Sequence, residues 1–267
     1  MNARTFLVRG LLAGLLAGIA TFVVALTVGE PPIDSAIALE SSAAVAAPAG
    51  HVLTSDAGWA EPTGLVGGRT AHAHGGEHDE GGISRTTQKT WGLATGTIAI
   101  GVALGGIVSL VAAAVAGRMG RLSLVGSTAL VTAVGFVAYS LVPFLKYPAA
   151  PPAVGSGDTI GERTAYYFAF ALVSLLAMVA AVALGRRLAG SRGAWAGVVG
   201  AGAFYVAVMA LTAVVMPAVN ELGSFPADVL WQFRVSSLLT LATLWAVLGV
   251  ALTWLLDRAA RQAPAPA

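Results

Sequence analysis

Six stretches of this chain, at residues 6–28, 91–116, 122–145, 166–184, 194–215 and 235–256, are apolar and long enough to cross about 30 Å of hydrocarbon. Inside a bilayer no water is present to bond free backbone N–H and C=O groups, so each stretch must satisfy them within itself and form a helix. The sequence therefore predicts an all-α integral membrane protein with six transmembrane helices. Composition agrees: only 10% of the 267 residues are charged and the mean hydropathy is +0.79, against about 25% charged in soluble domains. Four regions follow: a first transmembrane helix (1–28), a long loop (29–90), a five-helix membrane bundle (91–256) and a tail (257–267).

Charge sets the orientation. The N-terminus, the second and fourth connections and the tail hold nine arginines (Arg4, Arg9, Arg118, Arg121, Arg186, Arg187, Arg192, Arg258, Arg261) against one acid, Asp257. The other connections hold six basic residues (Arg69, Arg85, Lys89, Lys146, Arg163, Arg234) against twelve acids. Basic residues stay cytoplasmic, which predicts both termini inside and an extracytoplasmic first loop. The same scatter of basic residues beside apolar runs accounts for a pI near 9.2 without a nucleic-acid partner.

Arg4 and Arg9 ahead of an apolar run also fit a secretory signal peptide, with small residues at 44–47 as a cleavage site. The run from Leu11 to Val28 is long for a signal core, and Gly10, Gly14 and Gly18 form a four-residue stripe that admits a second helix closely. Both favour a retained helix.

In the long loop, Pro31 and Pro32 followed by alanine-rich sequence predict a short helix on the outer surface, with Glu40 on the face of Ile33 and Ile37. Residues 47–82 show no periodicity. Within them, His72, His74 and His78 put three of the four histidines in seven positions, interleaved with Glu77, Asp79 and Glu80. Neutral imidazoles and carboxylates, with glycines that let the backbone wrap, are donors for a borderline divalent cation such as cobalt, nickel or zinc. With no cysteine, thiolate sites are excluded; Met178, Met209 and Met216 are the soft donors in the spans.

Further along, Pro31, Pro143 and Pro217 mark predicted ends of the outward helices, and Lys89, Arg163 and Arg234 precede the return helices, a weak threefold hairpin pattern. Asp158 or Thr159 is the expected N-cap of the fourth span, and the proline-rich 146–155 loop is expected to hold a fixed shape. No span carries an ionisable residue in its interior. The spans offer Ser127, Thr128, Thr132, Tyr139 and Ser140 in the third and Ser236, Ser237, Thr240 and Thr243 in the sixth; their Ser and Thr hydroxyls are expected to bond backbone carbonyls or neighbouring helices rather than line a path. Glu221 and Asp228 are read as loop or cap charges, with a second metal station as the alternative. No paired nucleophile and base, phosphate loop or H-E-x-x-H motif is present, which argues against an enzyme and implies no organic cofactor.

The glycine-striped first helix, the Glu30-Pro31-Pro32-Ile33-Asp34 opening, the His tract, Pro143-Phe144-Leu145-Lys146-Tyr147-Pro148, and the segment from Asn220-Glu221 through Phe225-Pro226 to Leu230-Trp231-Gln232-Phe233-Arg234 together resemble the CbtA family of cobalt transporter subunits. The resemblance implies a multi-pass protein of the bacterial inner membrane, Co²⁺ uptake linked to cobalamin synthesis, and a small single-helix, His-bearing partner, CbtB. This chain departs from richer tracts in having three clustered histidines. The competing reading is a non-transporting scaffold or metal-sensing accessory whose docking face is the glycine stripe of the first helix.

Overall fold

The computed structural model describes residues 2–46, 84–120, 122–155 and 157–262. Among these no strand occurs, and six helical stretches are long and apolar enough to span a membrane. The first comprises α1 (Ala3–Val24), a π turn (Ala25–Gly29) and α2 (Glu30–Ala46). The second starts at α3 (Arg85–Thr87) and a π turn (Gln88–Gly92) and continues as α4 (Leu93–Val115). The third is α5 (Leu124–Gly135), a π segment (Phe136–Leu141) and α6 (Val142–Lys146). The last three are α7 (Ile160–Arg192), α8 (Ala194–Val215) and α9 (Ala227–Gln262).

Two expected helix ends are corrected. The first helix continues through Pro31 into α2 instead of breaking to lie on a surface, and the third continues through Pro143 to Lys146. A proline ring collides with the carbonyl four residues back, and its missing N–H breaks a backbone bond. Those carbonyls belong to Thr27 and Tyr139, both inside π segments, where the ladder shifts to five-residue bonds: Glu30 N–H to Ala25, and Val142 N–H to Val137. The widened turn absorbs the proline, and the helix runs on. On α2, Pro32 and Ala36 are buried while Glu40 is exposed and solvated.

Packing in lipid depends on close approach, because apolar side chains gain nothing by leaving lipid for protein. The glycine stripe of α1 meets a matching stripe on α4. A Cβ built on Gly14 would lie 2.2 Å from the Gly101 carbonyl oxygen, and one on Gly105 would lie 2.3 Å from that of Gly10. The stripe read as a docking face is therefore filled by the chain's own second span. Around this pair α5 and α9 complete one cluster, with Phe6, Ala13, Ala17, Val108, Trp245 and Leu248 at its centre. On its far side Arg9 Nε donates to the Leu255 carbonyl at 2.9 Å, tying α1 to α9.

The α7–α8 hairpin forms a second cluster around Phe170, Tyr205 and Met209. It turns at Gly193, whose φ of +90° an L side chain rarely adopts, and it closes through Gly185 against Gly197. It joins the first cluster along the π segment of the third span: Ser174 Oγ donates to the Ala138 carbonyl at 2.7 Å and lies 2.7 Å from the Tyr205 hydroxyl. Next to it Trp245 Nε1 donates to Ser140 Oγ at 2.8 Å. The first span packs on both the second and the sixth, the third on the sixth and the fourth on the fifth, so the threefold hairpin pattern does not carry into the packing.

Exposed tryptophans bracket the apolar belt, Trp91 and Trp231 at one end and Trp195 and Trp254 at the other. Along α9 the 23 steps from Trp231 to Trp254 cover about 35 Å at 1.5 Å each, the spacing of two bilayer interfaces. Arg258 lies over the Trp254 ring at 5.6 Å.

Candidate functional site: a charged vestibule at the root of the long loop

At the end of the bundle from which residues 47–83 depart, the first turns of α2, the 146–155 loop, the start of α7 and the start of α9 enclose a cavity of about 680 Å³. Its wall is mostly apolar but carries Glu30, Lys146, Arg163, Glu221 and Arg234.

Glu30 and Asp34 sit four residues apart on one face of α2, and Arg85 and Lys89 sit four apart where the second span begins. The two pairs face each other. Arg85 Nη2 donates to Glu30 Oε2 at 2.5 Å and to Asp34 Oδ1 at 3.2 Å, and Lys89 Nζ donates to Asp34 Oδ2. This clamp joins the two roots of the long loop. Glu30 is its buried member, with a side chain 9% exposed, whereas that of Asp34 is 45% exposed.

Asp34 follows the apolar run 6–28 of its helix and pairs with Lys89, two residues before the belt tryptophan Trp91, which places it at the edge of the apolar belt; its carboxyl is held below the usual carboxylate range. The Lys89 hydrogen bond is the largest cause, burial opposes it, and the Arg85 hydrogen bond and both positive charges add to the lowering. A carboxylate whose folded pKa is depressed contributes stability that is present above the unfolded value and lost as pH falls through the folded one. Protection of the amides of residues 84–92, taken relative to their intrinsic exchange rates, is thus expected to hold from neutral pH down to about pH 4 and to fall in more acid solution.

Contacts and positive backbone angles shape the proline-rich loop. The Tyr147 hydroxyl donates to the Pro217 carbonyl at 2.8 Å, and its ring meets Phe170 edge-on at 5.8 Å. Ala153 has φ +67° and Gly155 has φ +88°. A side chain at 155 would also strike the ion pair beneath it, 2.4 Å from Arg163 Nη1 and 2.6 Å from Glu221 Oε2. Arg163 and Glu221 stand 3.6 Å apart, and Thr159 Oγ1 donates to the same carboxylate oxygen at 2.9 Å. Thr159 occupies the N-cap position of α7, but its hydroxyl serves Glu221 instead of the helix. Lys146 Nζ donates to the carbonyls of Ala213 and Met216, at 2.8 and 3.2 Å, closing the end of α8 with a positive charge.

The sequence-derived metal residues His72, His74, His78, Glu77, Asp79 and Glu80 lie outside the described residues. Among the described residues no group of three or more His, Cys, Asp or Glu side chains is placed to hold a metal ion. Thr128, Thr132, Ser236, Ser237, Thr240 and Thr243 bond carbonyls of their own helices, as expected, but Ser236, Ser237 and Thr240 also line the vestibule. Met209 is buried in the second cluster, with Met178 and Met216 packed against it. Asp228 is an exposed acid in the first turn of α9, the place such charge is favoured. Of the two acids weighed as a second station, only Glu221 reaches the vestibule. Arg85, Lys89, Arg163 and Arg234 figured in the sequence as boundary and topology markers. For Arg85 and Lys89, opposite charges at four-residue spacing on both sides of a single loop were the signal that would have paired them with Glu30 and Asp34.

Six apolar helices, interfacial tryptophans and a charged vestibule at one end make this a multi-pass helical membrane protein. Residues 3–257 match the model of the CbtA family, described as a probable cobalt transporter subunit, and the chain belongs to that family. No curated protein and no solved structure matched it. That family description points to a transporter subunit with cobalt as the implied substrate.

Proposed function

We propose that the chain is the membrane subunit of a divalent metal uptake system in which His72, His74 and His78, with Glu77, Asp79 or Glu80, collect the ion outside a bacterial inner membrane and release it towards the vestibule. The clamp carries this reading. By holding Arg85 and Lys89 against Glu30 and Asp34, it roots the tract-bearing loop at the vestibule wall. The arginine distribution supports an arrangement with both termini in the cytoplasm. Cobalt is the cargo favoured by the family, nickel and zinc suit the same donors, and a single-helix CbtB-like subunit is the partner. The role is transport without catalysis.

A peptide spanning residues 66–84 is expected to bind Co²⁺ and Ni²⁺ at neutral pH and to lose them as pH falls through about 6.5, because only neutral imidazole coordinates. Isothermal titration against a peptide with all three histidines changed to alanine checks this, and equal heats from both would remove the capture role. The scaffold reading loses its docking face to α4. Cobalt accumulation by liposomes holding this chain and its partner separates the two.

A further inference from the structure

We infer that the vestibule receives the metal as an anionic oxygen chelate, such as a hydroxycarboxylate complex, and that Arg234 is the residue that grips the chelate's free oxygens. The inference rests on the transport reading and specifies the form in which the ion enters. Three cations, Lys146, Arg163 and Arg234, line the cavity with two carboxylates. Glu30 is already matched by Arg85, and Glu221 by Arg163 and Thr159. Lys146 is bound to two carbonyls at the end of α8. The charge left over is that of Arg234.

Its Nε is enclosed and meets no acceptor among the described residues, and neither does the Nε of Arg163 on the same wall. Enclosed donors ordinarily find acceptors. A guanidinium presents its donors as a planar fork that matches a carboxylate or phosphate, and it repels a bare dication. The volume, about 680 Å³, is in the range of small-molecule sites and far above what one hydrated ion needs. An oxyanion therefore satisfies the fork, and the metal travels with it. Below the fork, Ser236, Ser237 and Thr240 line the wall with their hydroxyl protons already committed to carbonyls, which leaves oxygens facing a cation.

The test uses the full chain in neutral detergent, with citrate, cobalt citrate and cobalt chloride as separate probes and thermal unfolding plus titration calorimetry as readouts. Wild type is expected to bind citrate and cobalt citrate. Arg234→Gln should weaken both by about tenfold or more, and Arg234→Lys, which keeps the charge without the fork, should fall between. A triple alanine variant at His72, His74 and His78 should lose tight binding of cobalt chloride and keep citrate, so failure of the capture reading is seen separately. Equal citrate affinity in wild type and a folded Arg234→Gln overturns the inference, and so does absence of citrate binding to wild type. Bilayer discs with and without phosphatidylglycerol resolve the other source of the same chemistry. If Arg234 retains that lipid and citrate does not displace it, the fork holds a lipid phosphate and the chelate proposal falls.

Discussion

Gly14→Leu is expected to cost about 3 kcal/mol or more and to leave little folded protein after extraction into detergent, because its first side-chain carbon would stand 2.2 Å from the Gly101 carbonyl oxygen. The obstacle is backbone, with Val102 Cα at 2.9 Å behind it, so no rotamer change relieves it. Separating α1 from α4 would also expose Ala13 and Ala17, which are fully buried between the helices. Gly96→Leu on α4 is the control, since a Cβ there meets nothing within 4 Å. It should leave stability unchanged or raise it by a few tenths of a kcal/mol, because leucine is the better helix former. Thermal unfolding of both variants by size-exclusion yield checks the pair. Equal loss would mean the glycines act through helix flexibility and not through contact.

The same stripe shows what a sequence can disclose. Glycines at 10, 14 and 18 announced a close helix neighbour, but naming the neighbour needed the opposing set at Gly101 and Gly105, which lies among many other small residues in the second span. The six spans were legible because lipid imposes length and apolarity on each separately. The continuation of two helices through proline was not. It depends on a π turn placed two residues earlier, and the propensity of Ala25-Leu26-Thr27-Val28-Gly29 gives no sign of that turn. Arg163 and the pair Glu221 and Arg234 come from two different connections about 60 residues apart, and only the folded chain brings them to one cavity. Local patterns record what a segment must satisfy alone, and a site assembled from loop ends leaves no such record.

Removing the partner of a buried charge should expose the energetic centre of the loop clamp. Arg85→Ala strands Glu30, whose side chain is 9% exposed. Breaking a fully buried pair costs about 3–5 kcal/mol, and the 36% exposure of Arg85 lowers the expectation to about 2 kcal/mol. Asp34→Asn should cost less than about 1 kcal/mol, since its side chain is 45% exposed and water replaces what it loses. Adding Glu30→Gln to Arg85→Ala should restore more than half of the deficit, because a neutral amide in that position needs no counter-charge. Denaturation of wild type, Arg85→Ala, Glu30→Gln and the double variant gives the cycle. Recovery by Glu30→Gln would show that the arginine acts by neutralising a buried carboxylate. Continued instability would place its contribution in packing, a role its own side-chain exposure makes small. The cycle also separates holding from steering: once Glu30 is neutral, any remaining fall in cobalt accumulation reports on how the loop roots are aimed at the vestibule, independent of stability.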